Sequence, residues 1–177
     1  MKVYNELKNQ LQSFIIKIII NIFKIDKIEE FYLNSVIRYG ILNYVAKYSL
    51  ANDEYFITEK CFKYLNQLNF FSEKGLLRSK KGTKFKFTFE HPVPSNIIAD
   101  LLLENFNDEN KLRDILKETD IVTVLTYDED KILNNSNLTS RMPSDWKIFK
   151  NNNFDRYTYA GINIPTRKIK VYGALAR

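Results

Sequence analysis

Residues 14 to 25 read FIIKIIINIFKI, the most apolar stretch of the chain, and so much apolar surface has to be covered by something. A bilayer span needs about 20 apolar residues, whereas this run has 12 and contains Lys17, Asn21 and Lys24. A signal peptide would need an unbroken apolar run and a small-residue cleavage site, and neither is present. With Gln10 and Ser13, the three polar residues recur at steps of three and four. That spacing predicts a helix over 3–24 with one narrow polar stripe. Its wide apolar face belongs in the chain's own core, against a protein partner, or in a homodimer seam through residues 14–25; an interfacial membrane helix is a further option. No membrane span is expected, and the location expected is cytoplasmic.

The rest of the chain supports a folded core. Hydrophobic residues make up 45% of 177 residues, with 13 Phe and 11 Tyr, too many bulky side chains for disorder. A chain of this length buries roughly two thirds of its unfolded surface without a metal or disulfide staple. One cysteine, Cys61, excludes a disulfide framework and a multi-cysteine zinc site, leaving it as a small core residue. The 5 Gly and 4 Pro are too few for collagen-like or linker-like architectures.

Local signals divide the chain into elements. Asp26 and Glu29 form a start signal for a second helix carrying Ile28, Phe31, Tyr32, Val36, Tyr39 and Leu42. A third is expected from Thr58 to Phe71, with Phe62, Leu65, Leu68 and Phe71 inward. Leu76 to Phe89 then reads LLRSKKGTKFKFTF, which predicts a β-hairpin turning at Lys-Lys-Gly, apolar on one face and basic on the other. His91-Pro92-Val93-Pro94 imposes an extended segment. Ser95 and Asn107 or Asp108 start two further helices. IVTVLT at 121–126 reads as a strand covered on both faces, and Thr126 with Glu129 as a capping box for the helix after it. Residues 134–153 read as loop, and 157–159, 162–164 and 168–172 as strands. The fold class expected is α+β: a helical N-terminal layer, a basic β-hairpin and a small mixed sheet with flanking helices. Residues 1–177 are expected to share one core, with a possible subdivision into 1–72, helical, and 73–177, α+β.

Charge points to a partner class. Residues 1–89 hold 15 basic and 8 acidic side chains, and residues 90–177 hold 12 and 13, so the formal +6 lies entirely in the first half. Its densest part is Lys74, Arg78, Lys80, Lys81, Lys84 and Lys86, a patch suited to phosphates. Arg141 and Arg156 are further phosphate candidates, with Trp146 or Tyr157 able to stack on a base. Equally, Trp146 can pin the long loop to the core.

Three partial resemblances bear on activity. Helices followed by the 58–71 helix and a basic hairpin resemble a winged helix over residues 28–89, which implies a helix in the major groove and the hairpin on the backbone. Phe89-Glu90-His91-Pro92-Val93-Pro94 resembles the first block of an HNH-type nuclease, which implies His91 as general base beside a metal. His91 is the only histidine, so the second metal-binding histidine of that pattern is missing. Asp120 with Glu129, Asp130 and Lys131 is similar to the Asp…Glu-x-Lys of restriction-type nucleases. As a helix start, however, Asp128 to Asp130 simply oppose the helix dipole. The function expected is nucleic-acid binding, with metal-dependent cleavage of the bacterial defence or mobile-element kind as an extension. In that case Glu90 and His91 are catalytic and Mg²⁺ is the cofactor. The alternative is a non-enzymatic interaction protein, an inhibitor or accessory subunit, docking through the apolar helix or the hairpin.

Overall fold

In the computed structural model, which describes residues 2–24, 33–78 and 86–173, the polar stripe of the first helix lies outward as its spacing demands. In chain order the elements are α1 (Lys2–Ile22), a π-helical turn (Leu33–Ile37), α2 (Arg38–Leu50), β1 (Glu54–Ile57), α3 (Glu59–Gln67), β2 (Phe71–Ser72), β3 (Gly75–Leu77), β4 (Phe87–Glu90), α4 (Ser95–Glu104), α5 (Glu109–Glu118), β5 (Thr123–Thr126), α6 (Tyr127–Asn135), α7 (Asp155–Tyr159) and β6 (Arg167–Tyr172). The fold is mixed α and β, as expected. The chain forms two compact units, each assembled from two stretches: Met1–Ala51 with Ser95–Asp120, and Asn52–Pro94 with Ile121–Arg177. The division therefore does not fall at residue 72. No helix among the described residues is long and apolar enough to cross a membrane.

The first unit is helical. Ile15, Ile16 and Ile19 of α1 are buried, while Gln10, Lys17 and Asn21 are exposed. α1 packs on α2 and α5, and α4 packs on α2 and α5. The apolar face of α1 is thus covered by the chain's own helices, with Phe14 left 48% exposed. Asp108 caps α5 by accepting from the Lys111 amide at 3.0 Å. Arg38 grips the Asp100 carboxylate with two bonds of 2.6 and 2.9 Å. The signal at Asp26 and Glu29 lies outside the described residues.

Among the described residues the second unit carries a six-stranded sheet, in the order β2-β3-β6-β1-β5-β4. β1 and β5 are parallel neighbours, β6 runs antiparallel to β1, and β4 antiparallel to β5. The apolar run at 121–126 accordingly supplies an inner strand buried along its whole length. The described ends of the hairpin expected over 76–89, β3 and β4, do not pair with each other, and its Lys-Lys-Gly turn lies outside the described residues. β3 pairs with β2 and β6 whereas β4 pairs with β5, so three strands separate the two arms. Phe87 and Phe89 lie instead opposite Thr126 and Val124 of β5, both buried. A shorter hairpin, β2–β3, turns just before it. Gly75 is required there: its φ is +101°, and a Cβ would lie 2.2 Å from the Lys170 carbonyl oxygen.

Other elements depart from the expected pattern for similar reasons. α3 stops at Gln67, where Asn69 adopts φ +54° and the Phe70 amide returns to the Leu65 carbonyl, so Leu68 is 47% exposed instead of inward. Residues 155–159 form a short helix, not a strand: Asn152 accepts from the Phe154 amide at 2.9 Å and starts a turn that buries Arg156 and Tyr157. Residues 162–164 stay outside the sheet, Ile162 joining a cluster with Leu125, Leu133, Leu138, Phe154 and Tyr157. α2 and α3 belong to different units, so the helices of the winged-helix resemblance do not share a unit.

Candidate functional site

Thr58, the residue after β1, and Thr126, the last residue of β5, each cap the helix that follows. Thr58 accepts from the Cys61 amide, and Thr126 from the Glu129 amide, both at 3.2 Å. Both hydroxyls also donate to one oxygen, Oε2 of Glu129, at 2.9 Å, and the Thr126 amide donates to it at the same distance. Glu129 is buried and its Oε2 accepts three bonds, so the expected capping box gains a third strut from a residue 71 positions away. It ties the N-terminal ends of α3 and α6 side by side at the carboxyl ends of the parallel strands. Beside it, burial pushes the Cys61 thiol up, with Glu129 adding to the effect.

In α/β sheets the carboxyl ends of parallel strands are where ligands bind. Here they carry a cleft of about 320 Å³. Lys60 and Tyr64 reach it from α3, Thr126, Tyr127, Asp128 and Lys131 from the start of α6, and Lys86 from the entry to β4. Among the described residues that line it, the three lysines are exposed and one carboxylate, Asp128, stands with them. Lys86 adopts φ +55°, unusual for a residue with a side chain, and its carbonyl accepts from the Tyr127 amide at 3.0 Å. Since the amides of Tyr127 and Glu129 are already bonded, attraction for an anion comes mainly from the three ammonium groups, aided by the helix dipoles.

A second polar cluster lies within the same unit. Arg156 is wholly buried and donates to the carbonyls of Leu138 (2.7 Å), Thr139 (3.1 Å) and His91, and to the Glu90 carboxylate. Burial lifts Glu90 above the ordinary carboxyl value, opposed by Arg156 and assisted by Asp130. Asp130 is itself raised by burial, again against the pull of Arg156.

The candidate residues read from sequence are therefore dispersed. Lys74 sits exposed in the β2–β3 turn. Arg78 is not on a phosphate-facing surface: it is buried, donating to Tyr55 Oη (3.2 Å) and to the carbonyls of Gly173 (2.7 Å) and Asn52. Arg156 is likewise interior, its guanidinium held by three carbonyls and a carboxylate. Lys80, Lys81 and Lys84 lie outside the described residues, and Lys86 lines the cleft. Arg141 is exposed in a separate polar cleft. His91 is buried beside Glu90 at the end of β4, and Trp146 donates to the Asn152 carbonyl at 3.0 Å, bracing its loop. Tyr157, a stacking candidate, is fully buried. Of the restriction-type set, Asp120 pairs with Lys8 in the first unit, Glu129 is consumed by caps, and only Lys131 faces the cleft. Lys60, Tyr64 and Tyr127 escape a reading of the sequence; their signal is the pair of threonines closing apolar strands. Among the described residues no three His, Cys, Asp or Glu side chains gather as metal ligands. The chain matches no protein-family model, no curated protein and no solved structure.

Proposed function

We propose that the protein binds nucleic acid in the cytoplasm, holding the phosphate backbone at the cleft between α3 and α6. The observation that carries this reading is the convergence of Lys60, Lys86 and Lys131 on one cleft at the carboxyl ends of two parallel strands. Three ammonium groups and one carboxylate favour a polyanion, and the two tyrosines add surface for a sugar or base. Lys80, Lys81 and Lys84 precede Lys86 in the chain and extend the same basic character. The reading is one of binding: the Glu90 carboxylate is occupied by Arg156 and takes no part in it.

The test is fluorescence anisotropy of labelled DNA and RNA over a salt series, comparing the unmodified protein with Lys60→Gln/Lys86→Gln/Lys131→Gln. The variant should bind more weakly, with a salt slope shallower by about 0.7 to 0.9 for each phosphate that is no longer neutralised. Equal affinity and equal slope in the two proteins would overturn the reading.

A further inference from the structure

We infer that the nucleic acid is single-stranded and runs along α6, from the three-lysine cleft to a second anchoring point at Arg141. The inference rests on the reading above and adds the substrate class and the path. α6 buries Glu129 and Leu133 and exposes Asp128, Lys131 and Asn134 at successive steps of three. Residues three apart on a helix are neighbours on one face. Lys131 lines the first cleft, and Asn134 lines the second, which is about 350 Å³ and also contains Asn137, Thr139, Ser140 and Arg141. One polar helix face thus joins a cationic cleft to a polar one that contains an arginine.

The second cleft is held in place from inside. Asn137 turns the chain at φ +56°, and the Leu138 amide returns to the Leu133 carbonyl at 2.9 Å. The carbonyls of Leu138 and Thr139 are fixed by buried Arg156, so Arg141 projects from a backbone anchored two residues earlier. An arginine presented this way suits a phosphate, which it can engage with two parallel bonds.

Strandedness follows from the first cleft. Tyr64 and Tyr127 are half-buried in its walls, and a base can reach them only when it is free of a duplex stack. The nine residues of α6 rise about 13.5 Å, which at roughly 3.4 Å per stacked base corresponds to about four nucleotides.

The experiment compares an eight-nucleotide single strand, a two-nucleotide strand and a hairpin duplex, as DNA and as RNA, against the full chain and Arg141→Ala. The eight-mer should bind at least about tenfold more tightly than the duplex. Arg141→Ala should weaken the eight-mer several-fold and leave the two-mer unaffected. Arg141 is exposed, so unfolding does not confound the variant, and a thermal melt verifies this. Duplex binding as tight as the single strand overturns the inference, as does an unchanged eight-mer affinity in Arg141→Ala. Either result leaves nucleic-acid binding itself to the lysine variant, whereas no binding of any probe overturns both.

Discussion

Arg156, with no solvent exposure, is paired with the Glu90 carboxylate at the end of β4, 66 residues earlier in the chain. The same guanidinium holds the carbonyls of His91, Leu138 and Thr139, so one side chain fastens a strand end, the loop after α6 and α7 together. Replacing it by Met removes the cation and leaves a carboxylate and three carbonyls unsatisfied. The cost should be about 3–5 kcal/mol, the range for a broken buried pair. Urea denaturation checks this, and a loss below about 1 kcal/mol would contradict the bonding described.

Glu90 also sets a pH dependence. Burial holds it above its unfolded value near 4.5, and Asp130 above its value near 3.8. Between those values and the raised ones these two groups bind more protons in the folded chain than in the unfolded one, so the stability they contribute is full below about pH 4 and is lost as pH rises through the folded values. Glu90→Gln should flatten that decline, as followed by the urea midpoint at a series of pH values. An unchanged profile would remove Glu90 as its source.

Glu129 receives three hydrogen bonds on one oxygen. Glu129→Gln keeps a carbonyl oxygen and should cost about 1 kcal/mol, whereas Glu129→Ala abandons all three donors and should cost about 2–4 kcal/mol. Chemical denaturation of both variants measures the difference. Equal destabilisation by the two would show that charge, and not hydrogen bonding, is what the caps require.

Lys86 holds a left-handed backbone that costs a non-glycine residue about 1 kcal/mol. Lys86→Gly should therefore leave stability equal or slightly higher while weakening nucleic-acid binding by removal of one cleft charge. A thermal melt and an anisotropy titration on the same sample separate the two effects.

The elements whose signals close over three or four residues are legible in the sequence. The Thr126–Glu129 box, the Asp108 cap and the polar stripe along α1 need only their own neighbours, and the all-buried β5 needs only its own apolar run. The helix at 155–159 reads as a strand because Tyr157 and Tyr159 have strand propensity, and the Asn152 turn that overrides it is a single weak local signal.

Composition and short-range pattern were enough for the α+β class, most helix starts and the basic character of the first half. Long-range pairing alone settled which strands become neighbours, and hence where the charged groups meet. β3 and β4 are separated by three strands, Arg78 and Arg156 turn inward, and Lys60, Lys86 and Lys131 come together from three elements. Strand pairing and buried arginines answer to partners tens of residues away, chosen by which apolar surfaces and carbonyls remain uncovered as the chain closes. Periodicity and composition record the surface each element must bury, but not the element that covers it.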